Sequence, residues 1–414
     1  MRKNTHFRPC VPKGVSVLIV SNSENDASHG TARSMLYNKE RTCADHESGS
    51  AVFPSIQAAI DAADAACKKA LHCGETWSGE TILISKGVYH ERVTITTPGL
   101  TLLGEGATET IISYGLYGFM PSPDIGKLGT FRSYTMLIDA DQVTLRDLGI
   151  ENTAGAGPDI GQAIALYADG DELCFDHIAL LGWQDTLFTG PLPPKEIEKN
   201  GFIGPKQFAP RRNGRQYYRD CHIEGDIDFI FGSATAFFDH CTILQKDRRK
   251  LLRPADAGPA PQNPACDGTP LSGSEESSGK NGAAAADPRE MTEALSFATA
   301  ASTPEGQAYG YVFDHCRFLS DCLAGSCYLG RPWRNFARVA ILRSWLGPQI
   351  HPAGFHNWGK TEAEGSVCFC EYQNEGPGAI RSQRAAFVKE LSAEEAAEYA
   401  REKVVAFAVK KGKV

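Results

Sequence analysis

The sequence holds no apolar run long enough to cross a bilayer. Near the N-terminus the longest aliphatic stretch, Val15 to Val20, is interrupted by Ser16 and is too short for a spanning helix or a secretory h-region. Neither leader nor anchor is expected, and the expected location is the cytoplasm. Positive charge is also scarce: 42 Lys and Arg stand against 50 Asp and Glu, a formal charge of -8, so neither nucleic acid nor a membrane surface is an expected partner. Paired cysteine spacing is missing. Thirteen cysteines occur and none forms C-x-x-C, which argues against a disulfide framework or ribbon-type zinc site and fits reduced, mostly buried thiols. Four further strings, G-x-S-x-G, H-E-x-x-H, G-x-x-x-x-G-K-S/T and G-x-G-x-x-G, do not occur. Serine-elbow hydrolase, zincin, P-loop and dinucleotide readings therefore lose their anchor.

What is present is a chain of 414 residues, 42% hydrophobic and 22% charged, able to bury a sizeable core. Residues 1–50 read as a polar extension with one strand candidate at Val15–Val20. Ser55 then precedes Ile56, Ala59, Ile60, Ala63 and Cys67, an apolar i, i+3, i+4 stripe behind an N-cap, which predicts an amphipathic helix over 56–71. From Thr81 to Phe369 short β-branched strands are broken by Gly, Asn and Asp, with no helices alternating between them. That pattern argues against doubly wound and barrel α/β folds, whose parallel strands need crossover helices.

A weak repeat runs through this region: Leu145-Arg-Asp-Leu-Gly-Ile150, Phe175-Asp-His-Ile-Ala-Leu180, Tyr218-Arg-Asp-Cys-His-Ile223, Phe238-Asp-His-Cys-Thr-Ile243 and Phe313-Asp-His-Cys-Arg-Phe318. Taking the Asp copies at 147, 176, 220, 239 and 314 as equivalent gives a unit of roughly 20 residues with insertions, as in β-solenoids. A parallel β-helix is the expected fold, over residues 51–390, with an antiparallel sandwich as the competitor. Coil-over-coil stacking would by itself explain the recurring Phe, Asp, His and Cys. His240-Cys241 and His315-Cys316, with His177 and Cys221, could meet as a metal site, but their spacing suits interior ladders better. No metal or other cofactor is expected. A stretch rich in Pro, Gly, Ser and Ala, about 246–293, reads as a mobile insert. Ser392-x-x-Glu395 is a capping box ahead of a second predicted helix over 393–405, and the two helices are expected to cap the two open ends.

Three segments carry candidate chemistry: Gly182-Trp-Gln-Asp-Thr-Leu187, Gly225-Asp-Ile-Asp-Phe-Ile-Phe-Gly232 and Leu329-Gly-Arg-Pro-Trp333. Strand alternation in the second would put Asp226 and Asp228 on one face and Ile227 and Phe229 on the other. Carboxylates against such apolar neighbours would have raised pKa values unless a cation such as Arg331 pairs with them. Each part alone reads as well as structure: a turn cap at Asp185, a core ion pair at Arg331, packing at Trp333. Only the set suggests a nucleophile and a separate general acid.

In this order the three segments resemble the pectin methylesterase (pectinesterase) family. The upstream blocks Ser55–Ala62, Gly87–Glu91, Leu103–Gly106, Ile150–Gly155 and Gln162–Leu166, and Pro352–His356 downstream, extend the likeness from about residue 52 to 378. The resemblance implies a right-handed parallel β-helix and metal-independent hydrolysis of the galacturonate C6 methyl ester to methanol and a free carboxylate. It implies that Asp228 is the nucleophile, Asp185 the general acid and base, and Gln184 and Gln162 the oxyanion donors. Arg331 would keep Asp228 ionised, while Trp333 and Phe231 would line the sugar subsite. Thr135 and Asp226 are further candidates for the substrate-binding surface.

This chain departs from the family pattern at Asp226, at Trp183 and at Thr299–Thr303. Asp226, where many members are uncharged, could raise the Asp228 pKa or disfavour de-esterified sugar. The implied partner is pectin or short imported methylated oligogalacturonides, and a monomer is expected. The negative net charge favours highly methylated stretches. Competing readings are an esterase or thioesterase of the same fold on another acyl group, and a non-catalytic β-helical glycan-binding protein.

Overall fold

The computed structural model describes residues 17–21, 51–252 and 294–410. The expected extension 1–50, apart from the strand Val17–Val20, and the expected insert beyond residue 252 lie outside the described residues. The chain winds as a right-handed parallel β-helix whose successive turns each add a strand to parallel sheets of 12, 7 and 8 strands. The sandwich alternative fails, since the single antiparallel pair among the described strands is Pro121–Ser122 with Gly126–Lys127.

The first helix, Ile56–His72, forms as its stripe predicts. Ser55 Oγ accepts from the Ala58 N–H, and the Glu91 carboxylate takes the Ile56 and Gln57 N–H groups at 2.9 and 3.1 Å. Four orphan donors at a helix start call for such acceptors. Ile56, Ala59, Ile60, Ala63 and Cys67 are buried, and the helix lies against strands Val17–Val20, Glu80–Ile84 and Val93–Ile95, covering the first coils.

The repeat becomes a set of ladders. Leu145, Phe175, Tyr218, Phe238, Phe313 and Ile341 pair in register across six strands of the longest sheet. The rings of Phe175, Tyr218, Phe238 and Phe313 stack at 4.4, 4.6 and 4.4 Å inside the core. Burying one such ring contributes about 1.5–3 kcal/mol. Cys221, Cys241 and Cys316 sit inside the next corner, each thiol pointing to a carbonyl of a neighbouring coil.

The structure corrects the repeat's register. Asp147, His177, Asp220, His240 and His315 share one corner, all with φ between 51° and 55°. One residue earlier, Arg146, Asp176, Arg219, Asp239 and Asp314 are partners in the sheet. The Asp copies thus belong to two columns, and in the sheet column Asp176 is clamped by Arg146 and Arg219 at 2.5 and 2.7 Å. Opposite charges on adjacent coils stabilise the stack where like charges would repel.

The C-terminal helix expected over 393–405 is broken into Ala393–Ala397, Arg401–Val404 and Ala406–Lys410, although the capping box on Ser392 and Glu395 forms. Tyr309 Oη donates to the Glu398 carbonyl, and Ala400 is extended, so the first helix stops there. Nor does this segment cap an open end. Ala396, Val404, Val405, Phe407 and Ala408 pack on the outer face of the 12-stranded sheet, over Cys174, Tyr217, Phe237, Val312 and Cys370. That face is apolar enough to demand a cover, which is why the segment lies along it. At the last coils, irregular chain supplies the closing side chains: Phe355 stacks on Phe369 at 4.4 Å, and Ala379 and Phe387 pack beside them.

Candidate active site

On the outer face of the seven-stranded sheet lies a cleft of about 450 Å³, lined by Gln162, Gln184, Asp185, Asp228, Phe231, Arg331, Trp333 and Trp358 among others. Strands of this sheet supply it in order, with Ser296–Ala301 between the last two. Gln162 leads into Leu166–Ala168, Gln184 and Asp185 lead into Leu187–Thr189, Asp228 and Phe231 lie on Ile227–Gly232, and Arg331 lies on Cys327–Pro332. Across the sheet Phe188, Phe231, Ala300 and Arg331 stand in register, so the small Ala300 leaves open the space between an aromatic ring and a guanidinium.

Asp228 does not follow simple alternation. Its φ is 50° and the register shifts between Ile227 and Ile230. This irregularity lets Phe229 and Ile230 both enter the interior core while Asp228 lines the cleft. Asp185 is left-handed too, with φ 65°, held by its N–H on the Ile227 carbonyl at 3.1 Å. Thr186 Oγ1 bonds to the Trp183 and Glu224 carbonyls, so Thr186 rather than Asp185 ties the turn. Both acids thus sit where a non-glycine backbone is strained, as functional side chains often do.

Their surroundings differ. Arg331 grips Asp228 with two parallel bonds, Nε to Oδ1 at 2.8 Å and Nη2 to Oδ2 at 2.7 Å. The guanidinium is itself stacked between Phe297 and Trp358, 4.0 and 3.7 Å from the ring centroids. Burial pushes the Asp228 pKa up, Arg331 opposes that rise, and the charge of Asp226 adds to it. Asp185 has no such grip. Its pKa is pushed well above the usual carboxylate range by burial first and by the charge of Asp228 next. Two carboxyls share one cleft, then, with Asp185 the one that holds its proton more tightly.

Gln162 and Gln184 are half-buried at the same cleft, and the Trp333 and Phe231 rings lie with centroids 5.7 Å apart and planes tilted by 59°. Gly118 makes room for Gln162: a Cβ there would lie 2.9 Å from Oε1. Two expected contacts are not at the surface. Thr135 is fully buried, with Oγ1 donating to the Glu151 carbonyl at 2.8 Å, so its hydroxyl joins coils and cannot meet a ligand. Asp226 is fully buried as well, paired with Arg248, because the shifted strand separates it from the face that Asp228 occupies. It acts on Asp228 by charge and does not touch the cleft. Thr299–Ala301 belong to a buried strand, of which Ala300 reaches the cleft, while Ser302 and Thr303 bond to Ser233 and to the Arg338 N–H.

Sequence reasoning missed Trp358, Phe297, Arg248, Arg334 and Lys360. Trp358, two residues beyond the Pro352–His356 block, carried the one usable signal. The His and Cys pairs form no metal site: the thiols are interior, and His240 stacks on His315 with ring centroids 5.0 Å apart at an exposed corner. Asp176, His177 and Asp220 lie within ligand distance of one another, but Arg146 and Arg219 already neutralise Asp176.

Comparison with known proteins gives one family. The model for the family Pectinesterase matches residues 43–191, 211–253 and 284–408. Pectinesterase 31 of Arabidopsis thaliana is 28% identical over 365 residues, 85% of this chain and 88% of that protein. The peach (Prunus persica) pectinesterase/pectinesterase inhibitor PPE8B is 33% identical over 72% of this chain, which spans only 45% of that longer protein. Among solved structures, pectin methylesterase from carrot superposes with a TM-score of 0.64 at 22% identity, over 97% of this chain and 96% of that one. Pectin methylesterase PemA from Erwinia chrysanthemi gives 0.60 at 23% identity, over 95% and 98%. At these identities the structural likeness bears on the fold.

Proposed function

The chain belongs to the pectinesterase family and is a carboxylic ester hydrolase, and we propose that Asp228 and Asp185 divide the hydrolysis of galacturonate methyl esters between them. One observation carries this reading: of two carboxyls in one cleft, Asp228 is held by a bidentate arginine and Asp185 is desolvated without one. Asp228, kept ionised, attacks the C6 carbonyl carbon. The tetrahedral oxyanion takes hydrogen bonds from the Gln162 and Gln184 amides, neutral donors that stabilise charge without competing for the proton. Collapse breaks the bond to the methoxy oxygen, and protonated Asp185 delivers its proton there, releasing methanol and leaving an Asp228 anhydride. Ionised Asp185 then takes a proton from water, the hydroxide oxygen attacks the anhydride, and Asp228 leaves as carboxylate from a galacturonic acid that gives its remaining proton to solvent.

Trp333 offers a flat ring to the apolar face of a pyranose beside the reacting ester, and Phe231, almost wholly buried, supports it from behind. Short methylated oligogalacturonides in a reducing, cytoplasmic setting are the substrate we favour. Interior thiols at Cys221, Cys241 and Cys316, which serve as core packing, suit such a setting.

The test is methanol release from methylated tri- to hexagalacturonates and from polymeric pectin, with excess chelator, by the wild type and Asp228→Asn. Release by the wild type alone is expected, faster on the short substrates. Activity on small methyl esters without activity on either galacturonan would point instead to another acyl substrate.

A further inference from the structure

Asp226 is a buried charge that the mechanism does not use. It is 0% exposed, and a carboxylate so desolvated persists only when both oxygens are satisfied. Oδ1 accepts the Ile227 N–H at 2.7 Å, and Oδ2 accepts Arg248 Nε at 2.6 Å. Arg248 follows the strand Thr242–Gln245 and precedes the short helix Arg249–Leu252. Composition assigned this stretch to a mobile insert, yet its root is fixed. Lys246 Nζ donates to the Gly182 carbonyl and to Glu224 Oε1 at 3.0 and 2.8 Å, lying 3.8 Å from the centroid of the Trp183 ring. The Asp247 N–H donates to Asp321 at 2.8 Å.

The remaining contact of Arg248 points into the cleft. Its Nη2 donates to Gln184 Oε1 at 3.4 Å, at the long end for a hydrogen bond. A guanidinium carries donors and no acceptor, so it can face only the oxygen of a primary amide. The flipped amide would set donor against donor. With Oε1 turned to Arg248, Nε2 is left for the cleft, and Nε2 is the end an oxyanion requires.

We propose that Arg248, anchored by Asp226, is a positioning residue that fixes the Gln184 amide in the orientation that donates to the developing oxyanion. The proposal rests on the two-aspartate reading, in which Gln184 is such a donor. A donor already aimed where charge will appear needs no reorganisation as the reaction proceeds. The pair also explains why a chain with Asp226 beside its nucleophile tolerates that acid: Arg248 neutralises it and gives it a task.

Steady-state methanol release and thermal unfolding of Gln184→Ala, Arg248→Met, Gln184→Ala/Arg248→Met and Asp226→Asn/Arg248→Met separate the possibilities. Losing a donor should cost Gln184→Ala about 100-fold in kcat, and Arg248→Met roughly 10-fold with KM little changed. At pH values where Asp228 is ionised in every variant, so that the unpaired charge of Asp226 does not decide the rate, adding Arg248→Met to Gln184→Ala should cost nothing further, because the group being positioned is gone. Asp226→Asn/Arg248→Met removes both charges, so it should regain the Tm that Arg248→Met loses without regaining kcat. Losses that multiply in the first double variant, or activity that returns with stability in the second, would overturn the proposal. An unimpaired Gln184→Ala would instead sink the oxyanion role of Gln184 itself. If Arg248→Met alone does not fold, the charge-free double variant still decides.

Discussion

Arg331 meets Asp228 side-on across 103 positions of sequence, Nε on one carboxylate oxygen and Nη2 on the other. Such a fork orients the carboxylate as well as charging it, a combination that a lysine cannot reproduce. Arg331→Ala would leave a buried charge without a partner, at a cost of about 3–5 kcal/mol. Removing a positive neighbour raises the pKa of Asp228, so the acidic limb of the rate profile should move to higher pH. Arg331→Lys should keep that limb nearer the wild-type position while still losing kcat. Rate profiles of the two variants check this, and an unmoved acidic limb in Arg331→Ala would show that Asp228 does not need the cation to ionise.

Asp185 should weaken the fold it serves. Its folded pKa lies above the unfolded value of about 3.9. Folding therefore favours its protonated form, and the penalty builds up as pH rises through the interval between the two values. Below the unfolded pKa the carboxyl is protonated in both states and the penalty vanishes. Asp185→Asn should therefore abolish methanol release while raising Tm near neutral pH, with the gain shrinking towards pH 4. Thermal unfolding against pH gives the answer, and a variant less stable than the wild type at neutral pH would contradict it.

At Gly118 the constraint is room. A methyl group there would press on Gln162 Oε1, the end of a flexible side chain, so the fold should survive and the glutamine should move. Gly118→Ala should lower kcat by roughly 10-fold, as expected of one displaced oxyanion donor. Titrating substrate should find KM nearly unchanged. A large fall in Tm with normal kcat would assign the glycine to packing alone.

The ring column is the fold's own test. Phe238, with no exposed surface, lies between Tyr218 and Phe313. Phe238→Ala should cost about 3–5 kcal/mol in chemical denaturation, because rigid neighbours on both sides cannot collapse into the gap. A loss below about 1 kcal/mol, small against the usual range for such truncations, would mean that the coils relax freely.

The solenoid could be read from the string because each coil repeats one demand, an apolar residue inward beside a polar corner, and the Phe and Cys ladders answer it. Asp185, Asp228 and Arg331 could be read because the three segments that carry the family resemblance contain them, whereas spacing alone left each as a plausible structural residue; the sheet gathers them with the strand Ser296–Ala301 between Asp228 and Arg331. What alternation could not supply was the left-handed residue at Asp228, one backbone angle that sends Phe229 and Ile230 inward together and leaves Asp226 buried. Thr135 misled for a different reason: a threonine reads the same whether its hydroxyl faces a ligand or a carbonyl on the next coil. Arg248 was hidden by its neighbourhood, since composition averages over a window and cannot see that the first few residues of an insert are anchored. The C-terminal segment showed its apolar face plainly, and what the pattern did not specify was which surface that face would cover.

The column of stacked rings also makes the protein its own optical gauge. Tyr218 is held between two phenylalanines at centroid distances of 4.4 and 4.6 Å, an asymmetric and rigid setting that should give its absorption band strong circular dichroism. Of the five tryptophans, Trp333 and Trp358 border the cleft. Tyrosine dichroism thus carries a contribution from the interior of the coils and indole emission one from the cleft, and the parts of each signal lost in Tyr218→Phe and in Trp333→Phe show whether a substitution or a sugar has disturbed the one, the other, or both.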